Sequence, residues 1–271
     1  MKQLYKCRLC NKPCAHFARS HLIPWGLQSQ CKYANDMTLV AAGRRSRRLR
    51  KGVYDSNILC DDCEHRYFHD PDTYAIEIFR DFSRGKREEI CSMDGTRSFY
   101  YIIKNVDRRL LRAFFASVLW RCSVSALDCV SNVSIGRTFE ERIAHDLMQD
   151  GLFNWVDAVG IVFDSSGQDK IIQGMNTGYI LPDRTRIRYA NRVANGYNIC
   201  FPNMKFCVSL DKRVNPFAMM GDELAKISSM FVNVSPSLAQ ESDGKDLIIF
   251  GSDFPDSIAR TMALACRNAT K

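Results

Sequence analysis

Two C-x-x-C pairs, Cys7-Arg8-Leu9-Cys10 and Cys60-Asp61-Asp62-Cys63, flank the segment Ser20-His21-Leu22-Ile23-Pro24. Two residues between cysteines let both thiolates reach one ion from a tight turn, and two such turns complete a tetrahedral Zn²⁺ site. Four thiolates leave zinc no open position, so this zinc would be structural. It would staple together a segment that carries a histidine and several oxygen donors. Catalysis in that segment would need other ligands and a second ion.

The charge is concentrated on the same part of the chain. The net charge is +8, yet residues 1–51 hold twelve Lys and Arg against one acid, Asp36, which leaves the remainder net acidic. The densest run supplies Arg44, Arg45, Arg47, Arg48, Arg50 and Lys51. A concentrated cationic stretch beside a metal module is the electrostatic footprint of a polyanion-binding surface, so these six residues are the candidate nucleic-acid contacts. The same run is also readable as a solvated loop.

The elements that must position these groups divide in two. Residues 1–70 are rich in Cys, His, Arg and turn formers, and read as a small metal-organised module with short strands and one helix. Residues 71–271 read as a larger α+β domain. Residues 72–82 have apolar side chains at helical spacing behind Pro71 and an Asp72-Thr73 start. The run 97–104 is a strand, and 108–127 is the most hydrophobic helix, read as the core helix with Arg108, Arg109, Arg112 and Arg121 on a charged outer face. Thr138-Phe139-Glu140-Glu141 is a capping box opening a helix to about residue 149. Strands are expected at 158–163, 185–189 and 247–250, with a hairpin of 197–201 and 205–210 around Pro202-Asn203-Met204. Helices are expected at 222–232 and 255–268.

No apolar run approaches the length of a membrane span, and the N-terminus lacks the apolar core of an export signal. The twelve cysteines are therefore expected to be reduced thiols in a cytoplasmic protein that does not engage membranes, with Cys122, Cys200 and Cys207, in apolar runs, buried small hydrophobes. Neither glycine-rich nucleotide fingerprint, G-x-x-x-x-G-K-[ST] or G-x-G-x-x-G, occurs.

The ordered string C-x-x-C, Ser-His-x-x-Pro, then Asn57-Ile58-Leu59-Cys60-Asp61-Asp62-Cys63 resembles the HNH (ββα-metal) endonuclease family in its zinc-stapled, two-CxxC form. The resemblance covers about a quarter of the chain. It implies a two-stranded hairpin and a helix around one divalent ion, Mg²⁺ or Mn²⁺, and hydrolysis of phosphodiester bonds in DNA. By position it makes His21 the general base that activates water and Asn57 the residue that orients it. It puts the ion on Ser20 and Glu64, with Cys7, Cys10, Cys60 and Cys63 on the structural zinc. It also implies a role in defence against foreign DNA, and self-association or a protein partner.

The chain departs from the family's pattern where Ser20 stands in the usual place of Asp and Glu64 in that of His or Asn. His65 and His69, four apart on a helix, share a face and offer an alternative ligand; Asp61 and Asp62 are also near. The alternative reading is a catalytically inactive zinc-stapled subunit that binds nucleic acid or docks a partner.

Overall fold

The computed structural model describes residues 5–29, 37–39, 47–49, 51–83, 88–91, 99–103, 106–162, 180–189, 192–201, 204–210 and 247–250. The expected helices at 222–232 and 255–268 lie outside the described residues, as do Arg44, Arg45 and Arg50. Among the described residues no helix is long and apolar enough to cross a membrane.

The N-terminal segment is made of very short strands tied together by pairing distant in sequence. Strand β1 (Tyr5–Lys6) pairs antiparallel with β2 (Pro13–Cys14). Strand β3 (Ser20–His21) is followed by the one-turn helix α1 (Trp25–Gln28), and β4 (Met37–Leu39) pairs with β5 (Arg47–Leu49). Strand β6 (Tyr54–Asp55) returns to pair antiparallel with β3.

A helix then runs from Asp61 to Ser83 with a change of winding inside it. It consists of α2 (Asp61–Cys63), a π turn at Glu64–Phe68, and α3 (His69–Ser83). The sequence reading began this helix at Asp72, behind Pro71. Pro71 instead lies inside it, buried. Proline has no N–H to give the carbonyl four residues back, that of Tyr67, so the α-helical ladder must lose a bond there. The wider π turn adjoins that missing bond, and such turns are enriched at functional sites.

The rest is a sheet covered by helices. Strand β7 (Glu88–Cys91) precedes β8 (Phe99–Ile103), helix α4 (Arg108–Val124), a 3₁₀ turn at Asp128–Val130 and helix α5 (Arg137–Met148). Strands β9 (Asp157–Val162), β10 (Ile180–Tyr189), β11 (Arg192–Phe201), β12 (Met204–Ser209) and β13 (Leu247–Phe250) follow. Seven strands form one sheet in the order β10-β11-β12-β9-β13-β8-β7, antiparallel except where β13 runs beside β9. The hairpin expected around Pro202-Asn203 is present, with Phe201 opposite Met204. Pro182 sits where the β10 register shifts, on an edge strand, as a residue without an N–H requires. The architecture is a mixed α+β one.

Two helix ends differ from expectation. Helix α5 starts at Arg137 with Gly136 as its cap, at φ 83°, and the Gly136 carbonyl accepts from the N–H groups of Phe139 and Glu140. Thr138 is thus inside the helix and exposed, and the capping box does not form because the glycine already turns the chain. Helix α4 ends at Val124, three residues early, because Ser125 becomes extended and its hydroxyl reaches Asp55.

One continuous core joins these parts. It runs from Cys7, Leu22 and Ile23 through Phe68 and α4 to Phe206 and Val208. Its centre is an aromatic cluster, with the Phe79 and Phe115 rings 4.9 and 5.0 Å from that of Phe206. Cys122 is buried within it, as its apolar surroundings suggested.

Candidate metal centre and histidine site

The first C-x-x-C pair sits in a tight turn. The Asn11 N–H donates to the Cys7 carbonyl and the Cys7 N–H to the Lys12 carbonyl, both at 3.0 Å. Asn11 adopts φ 57°, a left-handed conformation that asparagine tolerates better than most residues. The second pair straddles the start of α2, with Cys60 extended at its N-cap and Cys63 one turn in. Backbone bonds from Arg8 to Ile58 (2.8 Å) and from Ala18 to Leu59 (2.9 Å) hold the two turns together.

The result is a cluster in which the sulfur atoms of Cys7, Cys10, Cys60 and Cys63 all lie within 4.8 Å of one another. Four thiols so placed can hold a metal ion such as zinc. The surroundings act differently on the individual thiols. Burial, and then the neighbouring Cys60 and Cys7, push the Cys63 thiol far above its ordinary value. Burial also acts to raise Cys7, but N–H groups of Cys10, Cys60 and Leu9 outweigh it and leave that thiol below its ordinary value. One of these donors, Cys60 N–H, lies 3.4 Å from Cys7 Sγ.

The histidine site is built on the β3–β6 pair, where Ser20 is opposite Asp55 and His21 opposite Tyr54. Because strand side chains alternate, Ser20 is buried while His21 is half-buried. His21 Nε2 lies 2.9 Å from the Lys51 carbonyl oxygen. A carbonyl only accepts, so Nε2 carries the proton and Nδ1 keeps its lone pair. Burial lowers the imidazole below its ordinary value, partly offset by the bond to Lys51, so the ring is neutral near pH 7.

The Lys51 carbonyl is itself aimed by a special turn. Gly52 adopts φ 72°, and a Cβ there would overlap the Gln28 side-chain oxygen. Gln28 is buried and donates through its amide to the Ile23 carbonyl, while Leu22 N–H bonds the Val53 carbonyl at 3.1 Å. A glycine packed on a glutamine thus sets the loop that holds the histidine.

Behind β3 lies a buried charged cluster. Glu64 opens the π turn; burial raises its carboxyl above the ordinary range, opposed by the charge of Arg121 and by the nearby Ser20 hydroxyl. Among the described residues, Ser20 Oγ, Glu64 Oε2, Gln28 Oε1 and Arg121 Nε are buried polar atoms without a hydrogen-bond partner. Arg121, on α4, is fully buried and grips Asp72 with both terminal nitrogens at 2.8 Å. Its guanidinium lies 5.2 Å from the centre of the Phe68 ring. Asp55, also buried, accepts from Ser125 Oγ at 2.6 Å and from the Asn57 N–H at 2.8 Å.

The expected site residues therefore divide. Ser20 and His21 are neighbours on β3, Ser20 acts on the Glu64 carboxyl, and His21 and Glu64 both feel the charges of Arg121 and Asp72. Asn57 is exposed, and it is its backbone N–H that is engaged, with Asp55; the polar atom facing the His21 ring is the Lys51 carbonyl. His65 and His69 share a helix face, with ring centroids 5.3 Å apart, and both are exposed, as are Asp61 and Asp62. Of the basic run, Arg47 and Arg48 lie in β5 and Lys51 is exposed.

Arg121, Asp72, Asp55 and Ser125 were missed. The sequence reading put Arg121 on an outer face, and the structure corrects this. A signal existed: Arg121 falls seven residues after Phe114 and three after Val118, on the buried stripe of its helix. Compared with known proteins, the chain matches no family model, no curated protein and no solved structure.

Proposed function

We propose that the chain is a metal-dependent endonuclease of the HNH (ββα-metal) type that hydrolyses phosphodiester bonds of DNA. The observation that carries this reading is that Ser20 Oγ and Glu64 Oε2, two of the four buried side-chain polar atoms without a hydrogen-bond partner among the described residues, lie on the strand that bears His21 and the helix that bears Cys63. Leaving a buried polar group unsatisfied costs about 1–3 kcal/mol, which a bound cation would relieve. The order of β3, β6 and the helix from Asp61 also agrees with that nuclease type.

The donor set fits a hard ion. A carboxylate and a hydroxyl suit Mg²⁺ or Mn²⁺, whereas the four thiols suit zinc. Ser20 and Glu64 would hold the hard ion, which when bound stabilises the charge growing on phosphorus and on the leaving oxygen. The remaining work belongs to the chain. Neutral His21 takes the proton of the attacking water at Nδ1. Its Nε2–H keeps the ring in place on the Lys51 carbonyl, which also steadies the imidazolium that forms. Lys and Arg of residues 1–51 neutralise flanking phosphates. A role in defence against foreign DNA would follow by analogy alone.

One observation favours a second reading. A serine hydroxyl binds a divalent ion more weakly than a carboxylate, which suits a zinc-stapled subunit that binds nucleic acid or a partner without cutting. Supercoiled plasmid separates the two. The parent chain should nick it with Mg²⁺ or Mn²⁺ and not with chelator, and His21→Ala should not nick it at all. Salt-sensitive binding without nicking by either protein would favour the non-cleaving subunit, and equal nicking by both would remove His21 from the chemistry.

A further inference from the structure

Tyr54 and Leu152 are the two large apolar side chains exposed among the described residues, at 37% and 67%. Leu152 lies in a loop remote in sequence from the site, whereas Tyr54 stands directly opposite His21 in the β3–β6 register. The Tyr54 and His21 ring centroids are 5.8 Å apart in an edge-on arrangement. The half-buried Trp25 ring is also near the histidine, with its centroid 6.2 Å away. The exposed Arg19 holds its guanidinium 5.8 Å from the centre of the Tyr54 ring, and exposed Lys51 gives its carbonyl to His21. Aromatic surface thus interleaves with cations around a single imidazole.

We infer that Tyr54, with Arg19 beside its ring and His21 at its edge, is a stacking platform for an unpaired base beside the phosphate presented to His21, so that the preferred substrate is DNA with single-stranded or locally unstacked bases. The inference rests on the nuclease reading for the role of His21, but not for the binding itself. Every base has a π-face that an aromatic ring can stack on, and an arginine can add to the stack while lysine meets the phosphate. In a duplex those faces are covered by neighbouring bases and become available only at the cost of unstacking. The charge agrees with the occupant, since residues 1–51 carry twelve Lys and Arg and one acid. An acidic protein could satisfy the cations but gives the aromatic rings no π-face in register with each charge.

The test is fluorescence anisotropy of the full chain with a labelled single-stranded oligonucleotide and with its duplex. Mg²⁺ and Mn²⁺ are left out, and the DNA is checked to be intact afterwards. Tyr54→Ala should weaken single-strand binding roughly 5- to 150-fold, the range for one stacked base, and duplex binding less than about 2-fold. Tyr54→Phe, which keeps the ring, should retain the parent's affinity. Equal losses on both DNAs, no loss on either, or no measurable single-strand binding by the parent would overturn the inference, provided melting temperature and zinc content are unchanged. Failure of the nuclease reading looks different: no metal-dependent nicking by the parent, with the Tyr54 effect on single strands intact.

Discussion

Arg121 on α4 and Asp72 on α3 meet in a two-pronged ion pair, Nη1 to Oδ2 and Nη2 to Oδ1, both at 2.8 Å. The arginine side chain is fully buried and the aspartate nearly so, at 0% and 16% exposure. Burial disfavours the guanidinium charge, but Asp72 outweighs it, and Glu64 adds to the same balance. The pair therefore locks α3 to α4 and puts a fixed positive charge behind the carboxylate proposed to hold the hard ion.

Removing one partner should be far worse than removing both. Arg121→Met leaves Asp72 and Glu64 without their counter-charge and should lower stability by about 3–5 kcal/mol in urea unfolding. Arg121→Met combined with Asp72→Leu replaces the pair by apolar side chains and should recover most of that loss. Nicking should not recover with it, because Glu64 would still lack the buried cation beside it. Recovery of both stability and nicking would limit the pair to a packing role.

What the sequence made legible was local. The C-x-x-C turns, the Ser20-His21 segment, the hairpin around Pro202-Asn203 and the apolar α4 each show in the spacing of a few neighbouring residues. The partners that organise the corner are remote: Asp72 and Arg121 are 49 residues apart, Asp55 and Ser125 70. An arginine in an apolar helix looks like a solvated edge until its carboxylate is known. The path of the helix through Pro71 was hidden for a related reason. Proline and Asp-Thr signal a helix start by local propensity, and here a π turn and burial against the core override them.

The loop that holds His21 should be intolerant of a single methyl group. Gly52→Ala puts an L-residue at φ 72° and drives its Cβ into Gln28 Oε1. Backbone strain of this kind costs about 1–3 kcal/mol before the overlap is counted. The variant should melt at lower temperature and nick more slowly, since the Lys51 carbonyl is displaced from His21 Nε2. Adding Gln28→Ala removes the overlap but not the strain, so it should restore only part of the melting temperature. Full restoration would mean that the left-handed turn contributes nothing to positioning the histidine.

The thiol cluster predicts one tightly held zinc per chain and a defined pattern of cysteine reactivity. The thiolate is the form that alkylates, and a metal-held thiolate is shielded from the reagent. In the native chain iodoacetamide should therefore spare Cys7, Cys10, Cys60 and Cys63. Cys122 should also be spared, for a different reason: it is buried, and burial pushes its thiol well above the ordinary value. A chelator should expose the half-buried Cys10 and Cys60 to labelling while Cys122 still resists, because its protection comes from the core around α4 and not from the ion. Cys60→Ser should lose zinc and melt earlier, since Cys60 joins the two turns through its sulfur, through its N–H to Cys7 Sγ and through its bridge to Phe17. Mass spectrometry of the labelled peptides with metal analysis reads all of this at once. Labelling of the four cysteines without chelator, or a zinc content unchanged by Cys60→Ser, would remove the metal from the cluster and with it the staple that holds β3 beside the helix.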